Sequence, residues 1–146
     1  MKKINKKGFT LVELLAVIVL LGIVATALAA RVFATMNNSK SRTFVTTFND
    51  IQKQVMADYM IGQVITGDGK EVLEHYDLNE KDYVLKVEEY GTGGYKVTLT
   101  AAANGSFNSM SKLEKEKEPC TNISGLNEGT KCSGKQISNV IETGNE

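Results

Sequence analysis

From Phe9 to Ala30 the chain runs for 22 residues with a single charged side chain, Glu13. At 1.5 Å per residue a helix of that length covers about 33 Å, enough to cross the hydrocarbon core of a bilayer. Water does not tolerate such a surface, so the segment must be sheltered by lipid, by the rest of the chain or by other chains. The rest of the 146 residues is polar, rich in Gly, Asn, Ser, Thr and Lys, and has room for one domain only. The sequence therefore describes an apolar rod joined to a small soluble head.

Charge is distributed in the same uneven way. The chain is formally neutral, with 17 basic and 17 acidic side chains, but Lys2, Lys3, Lys6 and Lys7 all precede the apolar run. Without the first eight residues the count is 13 basic against 17 acidic. The head thus carries no basic excess that would attract nucleic acid. The four lysines favour a cytoplasmic leader and a translocated head.

Gly22 is the only glycine between Gly8 and Gly62, and no proline falls in that interval. Beyond Arg31 the all-round apolar pattern becomes one-sided. Phe44, Phe48, Ile51, Val55 and Tyr59 recur at spacings of three and four, the stripe of an amphipathic helix, and Gly62 is its natural stop. The pattern predicts one helix from about Thr10 to Ile61. After a turn at Gly67-Asp68-Gly69 and a short helical segment from Lys70 to Tyr76, the period drops to two. Tyr83, Leu85 and Val87 share one strand face, and Tyr95, Val97 and Leu99 share another, with Gly91-Thr92-Gly93-Gly94 as the hairpin loop. Further strands are expected at Ser106–Lys112 and Gln136–Ile141. One hairpin is marginal alone, so it must pack on the amphipathic half of the long helix. The fold class is α+β: a long N-terminal helix (about 10–61) whose C-terminal half packs on a small antiparallel sheet.

The string Lys6-Lys7-Gly8-Phe9-Thr10-Leu11-Val12-Glu13-Leu14-Leu15 resembles the leader of type IV prepilins, which type II secretion pseudopilins and competence pilins share. The resemblance implies cleavage after Gly8 by a membrane peptidase and methylation of the new N-terminus, Phe9. It also implies an inner-membrane assembly platform and polymerisation with copies of the same chain into a surface filament for adhesion or twitching motility. The expected organisation is a leader at 1–8, a membrane and filament-core helix at 9–30, and a head at 31–146. The head divides into a helical half at 31–61 and a sheet with C-terminal loop at 62–146. Glycine at position 8 lets the backbone lie extended in a protease cleft.

Glu13 is the anomaly of the apolar run. A carboxylate there costs on the order of 2–3 kcal/mol even on a lenient insertion scale. The resemblance assigns it to pairing with the Phe9 amine of a neighbouring copy, a register device; the plain alternative is a carboxylate snorkelling to the interface. Many family members carry a proline near position 30, where this chain has Ala30, so a straighter helix is expected here. Ala25, Ala27, Ala29 and Ala30 allow close helix approach.

Cys120 and Cys132 are separated by eleven residues including Gly125 and Gly129. In an exported protein such a pair is expected to form a disulfide, worth about 3 kcal/mol by loop entropy. Free thiols are the alternative. The lone His75 lies far from both, which argues against a zinc site. No nucleophile context, carboxylate dyad or calcium loop is present, so neither catalysis nor a cofactor is expected. Lys112–Glu118 is a solvated charge run, and Asn122-Ile123-Ser124 fits a glycosylation acceptor pattern. Within the family frame the chain could equally serve as a minor pilin or a pseudopilin. A reading of another class makes Met1–Lys7 the start of an ordinary secretory signal, cleaved near Ala29 to release a soluble domain. The apolar region is longer than the usual 7–15 residues for that, and it contains Glu13.

Overall fold

The computed structural model describes residues 8–110, 112–113 and 129–142. The chain divides into two compact units, 1–35 and 36–146. One helix, α1 (Leu11–Ile61), runs from the first into the second and is helical throughout, including Gly22 and Ala30. With no proline to remove a backbone donor, nothing breaks the hydrogen-bond ladder. The helix ends at the glycine that the sequence marks. Gly62 adopts φ +70°, its N–H donates to the Tyr59 carbonyl at 3.1 Å, and the Gln63 N–H reaches back to Asp58 O at 2.8 Å. That backbone conformation suits glycine, and the two bonds cap carbonyls that α1 would otherwise leave open.

The second unit is an α+β head. Its sheet contains β1 (Tyr83–Tyr90), β2 (Gly94–Ala101), β3 (Lys131–Ser133) and β4 (Gln136–Ile141), ordered β1-β2-β4-β3 with every pair antiparallel. Leu85 pairs with Leu99 and Val87 with Val97, so the period-two stripes read from the sequence meet on one face. Ile137 of β4 and Cys132 of β3 extend that face. Against it lie Phe44, Val45, Phe48, Ile51 and Val55 of α1, all buried in the same apolar cluster. Phe44 stacks on Tyr83 with ring centroids 5.8 Å apart, and Tyr59 meets Tyr95 edge-on at 6.0 Å. Polar bridges also cross the layers: Asn139 Nδ2 donates to Gln52 Oε1 at 2.7 Å, and the Thr47 and Tyr83 hydroxyls lie 3.4 Å apart. Buried amides of this kind must be paired, so the amide bridge also helps fix how β4 meets the helix.

A short helix, α2 (Lys70–His75), tucks Val72 and Leu73 into the cluster. Before it, Gly67 exchanges two 2.8 Å backbone bonds with Val87, shielding part of the free edge of β1. Asp58 of α1 and His75 Nε2 lie 2.8 Å apart and join the two helices.

The sequence places a strand at Ser106–Lys112; none is formed by the described residues there. The described residues of this stretch form successive turns, with Asn108 N–H donating to Gly105 O and Met110 N–H to Phe107 O. Asn104, Gly105 and Asn108 favour such turns over an extended ladder. Phe107, Met110 and Leu113 are buried at intervals of three, a turn spacing rather than an alternation. The fourth strand is instead Lys131–Ser133, joined to β4 through Gly134-Lys135. Of the sequence expectations, Cys120, Asn122-Ile123-Ser124 and most of the 112–118 charge run lie outside the described residues.

The turn segment is held at its start by a close backbone crossing. A Cβ on Gly105 would fall 2.4 Å from the Lys81 carbonyl oxygen and 2.7 Å from Asp82 Cα. Gly105→Ala is therefore expected to destabilise the protein by about 1–3 kcal/mol, as overpacking against backbone does; denaturant unfolding of the full chain in detergent measures it. Beside it, the Ser106 N–H donates to Asp82 Oδ1 at 2.7 Å, and this bond holds the Asp82 carboxyl below the usual carboxylate range. A lowered native value stabilises above the unfolded pKa of about 3.9 and is lost as pH falls through the native one. The stability difference between wild type and Asp82→Asn is thus expected to shrink below about pH 4. A difference that stays constant from pH 7 to pH 2 would rule this out.

Candidate functional site

The chemistry-bearing residues of the first unit gather at its N-terminal end. Gly8, Phe9 and Thr10 precede α1 in non-helical backbone, and Phe9 is 82% exposed. The bond between Gly8 and Phe9 therefore lies outside the helical ladder, where a protease can take it in extended form. Helix formation begins where it does because of a reciprocal cap. Thr10 N–H donates to Glu13 Oε2 at 2.8 Å, and Thr10 Oγ1 donates to the same oxygen at 3.0 Å. Glu13 N–H in turn donates to Thr10 Oγ1 at 3.3 Å.

This is a capping box, which satisfies backbone donors that no preceding turn can serve; a threonine cap of this kind is worth about 1 kcal/mol. The carboxylate also complements the positive end of the helix dipole. The signature was present in the sequence as Thr10-Leu11-Val12-Glu13, the pattern that opens many helices. Attention to the cost of a charge in an apolar run hides it. Glu13 thus has a task within its own chain in addition to any between chains.

Behind the cap the helix is uncovered. None of its most apolar stretch is buried within the chain. Leu14, Leu15, Ile18, Leu20, Leu21, Ile23 and Leu28 are each more than half exposed. At about 25 cal/mol per Å² this surface strongly favours any environment other than water. The threonine hydroxyls on it are satisfied without solvent: Thr26 Oγ1 donates to the Ile23 carbonyl at 2.8 Å and Thr35 Oγ1 to Arg31 O at 2.9 Å. Such back-bonding suits a helix in lipid, where an unpaired hydroxyl is costly. The helix is long and apolar enough to cross a membrane.

The remaining residues singled out in the sequence lie in the second unit. Cys132 is 2% exposed in β3, and no described cysteine is free. Its expected partner, Cys120, lies outside the described residues. His75 is engaged by Asp58, and among the described residues no cluster of three or more His, Cys, Asp or Glu side chains is placed to hold a metal. The structure thus groups Gly8, Phe9 and Glu13 within one helical start and places the cysteine in the head core.

Comparison with curated proteins and with solved structures returns no match. Residues 3–29 match the family model described as the prokaryotic N-terminal methylation motif, so this chain carries at its N-terminus the signature of type IV pilins and pseudopilins, over the residues that build the helix start and the uncovered apolar run.

Proposed function

We propose that the chain is a prepilin: a membrane-held precursor, cut after Gly8 and methylated at Phe9, that polymerises through α1 into an extracellular filament. The observation that carries this reading is an apolar helix with no cover in its own chain, preceded by a methylation motif. The helix has two successive shelters. Before assembly it lies in the cytoplasmic membrane, with the lysines of the leader inside and the head outside. In the filament, sister helices replace lipid, and the heads form the outer coat. Peptidase and methylase act on the exposed Gly8-Phe9 junction, and the protein's own role is structural.

Cleavage creates a positive amine at Phe9, close in sequence to the Glu13 carboxylate that Thr10 engages. Glu13 pairs with that amine on a neighbouring copy, because a charge desolvated without a partner costs far more than a paired one. In the head, Cys132 pairs with Cys120 and closes the C-terminal segment onto β3. The filament serves adhesion or motility; a minor-pilin or pseudopilin role uses the same N-terminus and the same assembly chemistry.

Mass spectrometry of the mature protein is expected to find N-methylated phenylalanine, residue 9, at the N-terminus. A mature chain starting at Ala30 would instead support secretion as a soluble domain. Glu13→Val is expected to leave cleavage largely intact while reducing sheared surface filaments by more than about tenfold, since it removes the only anion in the apolar run. Removal of residues 1–30 is expected to give a detergent-free, monomeric and folded head, checked by size-exclusion chromatography and circular dichroism. An aggregated or unfolded product would show that the head depends on the segment removed.

A further inference from the structure

Between Leu11 and Thr35 the helix carries only two charged side chains, Glu13 and Arg31, of opposite sign. Both are exposed and both belong to the first unit. Neither has an ion-pair partner among the described residues; Glu13 is held only by Thr10 through Oε2, which leaves Oε1 open. Eighteen positions separate the two residues. At 3.6 residues per turn that is five whole turns, so the two charges lie on one line along the helix surface, about 27 Å apart.

We propose that Arg31 docks on Glu13 of a second copy, so that parallel helices staggered by about 27 Å close an ion pair where the end of one apolar run meets the start of the next. The proposal rests on the reading that α1 packs against copies of itself, and it adds a second register contact to the Phe9 amine. The same spacing suits the membrane stage. A hydrocarbon core of about 30 Å lets Glu13 reach one interface and Arg31 the other, where both keep water. Packing against sister helices removes that water from both. One stagger satisfies both charges together, and a shift of one turn, about 5.4 Å, leaves both unpaired. A guanidinium fits this task because it is always charged and presents several donors in a plane, so it can share a carboxylate that Thr10 and an amine also approach.

The geometry also explains an open assembly. Each copy offers Glu13 to a neighbour displaced one way along the axis and Arg31 to a neighbour displaced the other way. Such a contact is heterologous, and with a large axial stagger it does not close into a ring.

The test uses the full-length chain in cells that assemble it, with cleavage at Phe9 followed by mass spectrometry and filaments quantified after shearing. Arg31→Glu is expected to keep cleavage and lower sheared filaments by more than about tenfold, because it sets two anions together in a desolvated contact. Arg31→Lys is expected to retain most filaments, and Arg42→Glu, outside the apolar run, to retain them. A geometric readout stands beside these. Leu14 and Val32 neighbour the two charges at the same spacing, so the Leu14→Cys/Val32→Cys double variant treated with a short bis-maleimide is expected to give a ladder of linked subunits in filaments, whereas Leu14→Cys alone is not. Wild-type filament levels from Arg31→Glu, or filaments without the 14–32 ladder, would overturn the Arg31 pairing while leaving the prepilin reading intact. Absence of filaments and of a Phe9 terminus in the wild type would overturn both.

Discussion

The constraint from which the rest follows is an apolar helical surface that its own chain does not cover. Every residue from Leu11 to Thr35 is exposed, and nearly every large side chain among them is more than half exposed. In water such a surface costs free energy in proportion to its area, so the helix favours lipid or another apolar surface over water.

The same helix then changes character and becomes the spine of a folded head. Phe44, Phe48, Ile51 and Val55 are sealed from solvent against Leu85, Val87, Val97, Leu99 and Ile137. A four-stranded sheet this small would be marginal without them. The helix thus supplies one wall of the core, and the Gln52–Asn139 bridge helps set how the sheet lies on it. Continuity of α1 through Ala30, with no proline to interrupt the ladder, lets one element serve both units.

Glu13 illustrates how one side chain serves local and intermolecular needs. Within the chain it completes a capping box with Thr10 and sets where the helix begins, leaving the Gly8-Phe9 bond in non-helical backbone. Between chains, in the filament proposed above, it is the anion that an amine and a guanidinium share. Its cost in an apolar run, the first thing visible in the sequence, is moderated by the cap before any neighbour arrives.

The sequence alone determined the long helix, its apolar and amphipathic halves, the Gly62 stop and the β1–β2 hairpin. It also showed the N-terminal signature. These are legible because each depends on a local period or a short motif: all-round apolarity, a stripe at three and four, alternation at two. The capping box is equally local, but Glu13 draws notice by its charge rather than by its position three residues after a threonine. Only the tertiary structure decided the rest. Ser106–Lys112 has enough apolar residues for a strand, yet Phe107, Met110 and Leu113 meet the core through turns, and the edge place falls to Lys131–Ser133. Which segment takes a free sheet edge depends on contacts between residues far apart in the chain, and a short stretch of sequence carries no record of them.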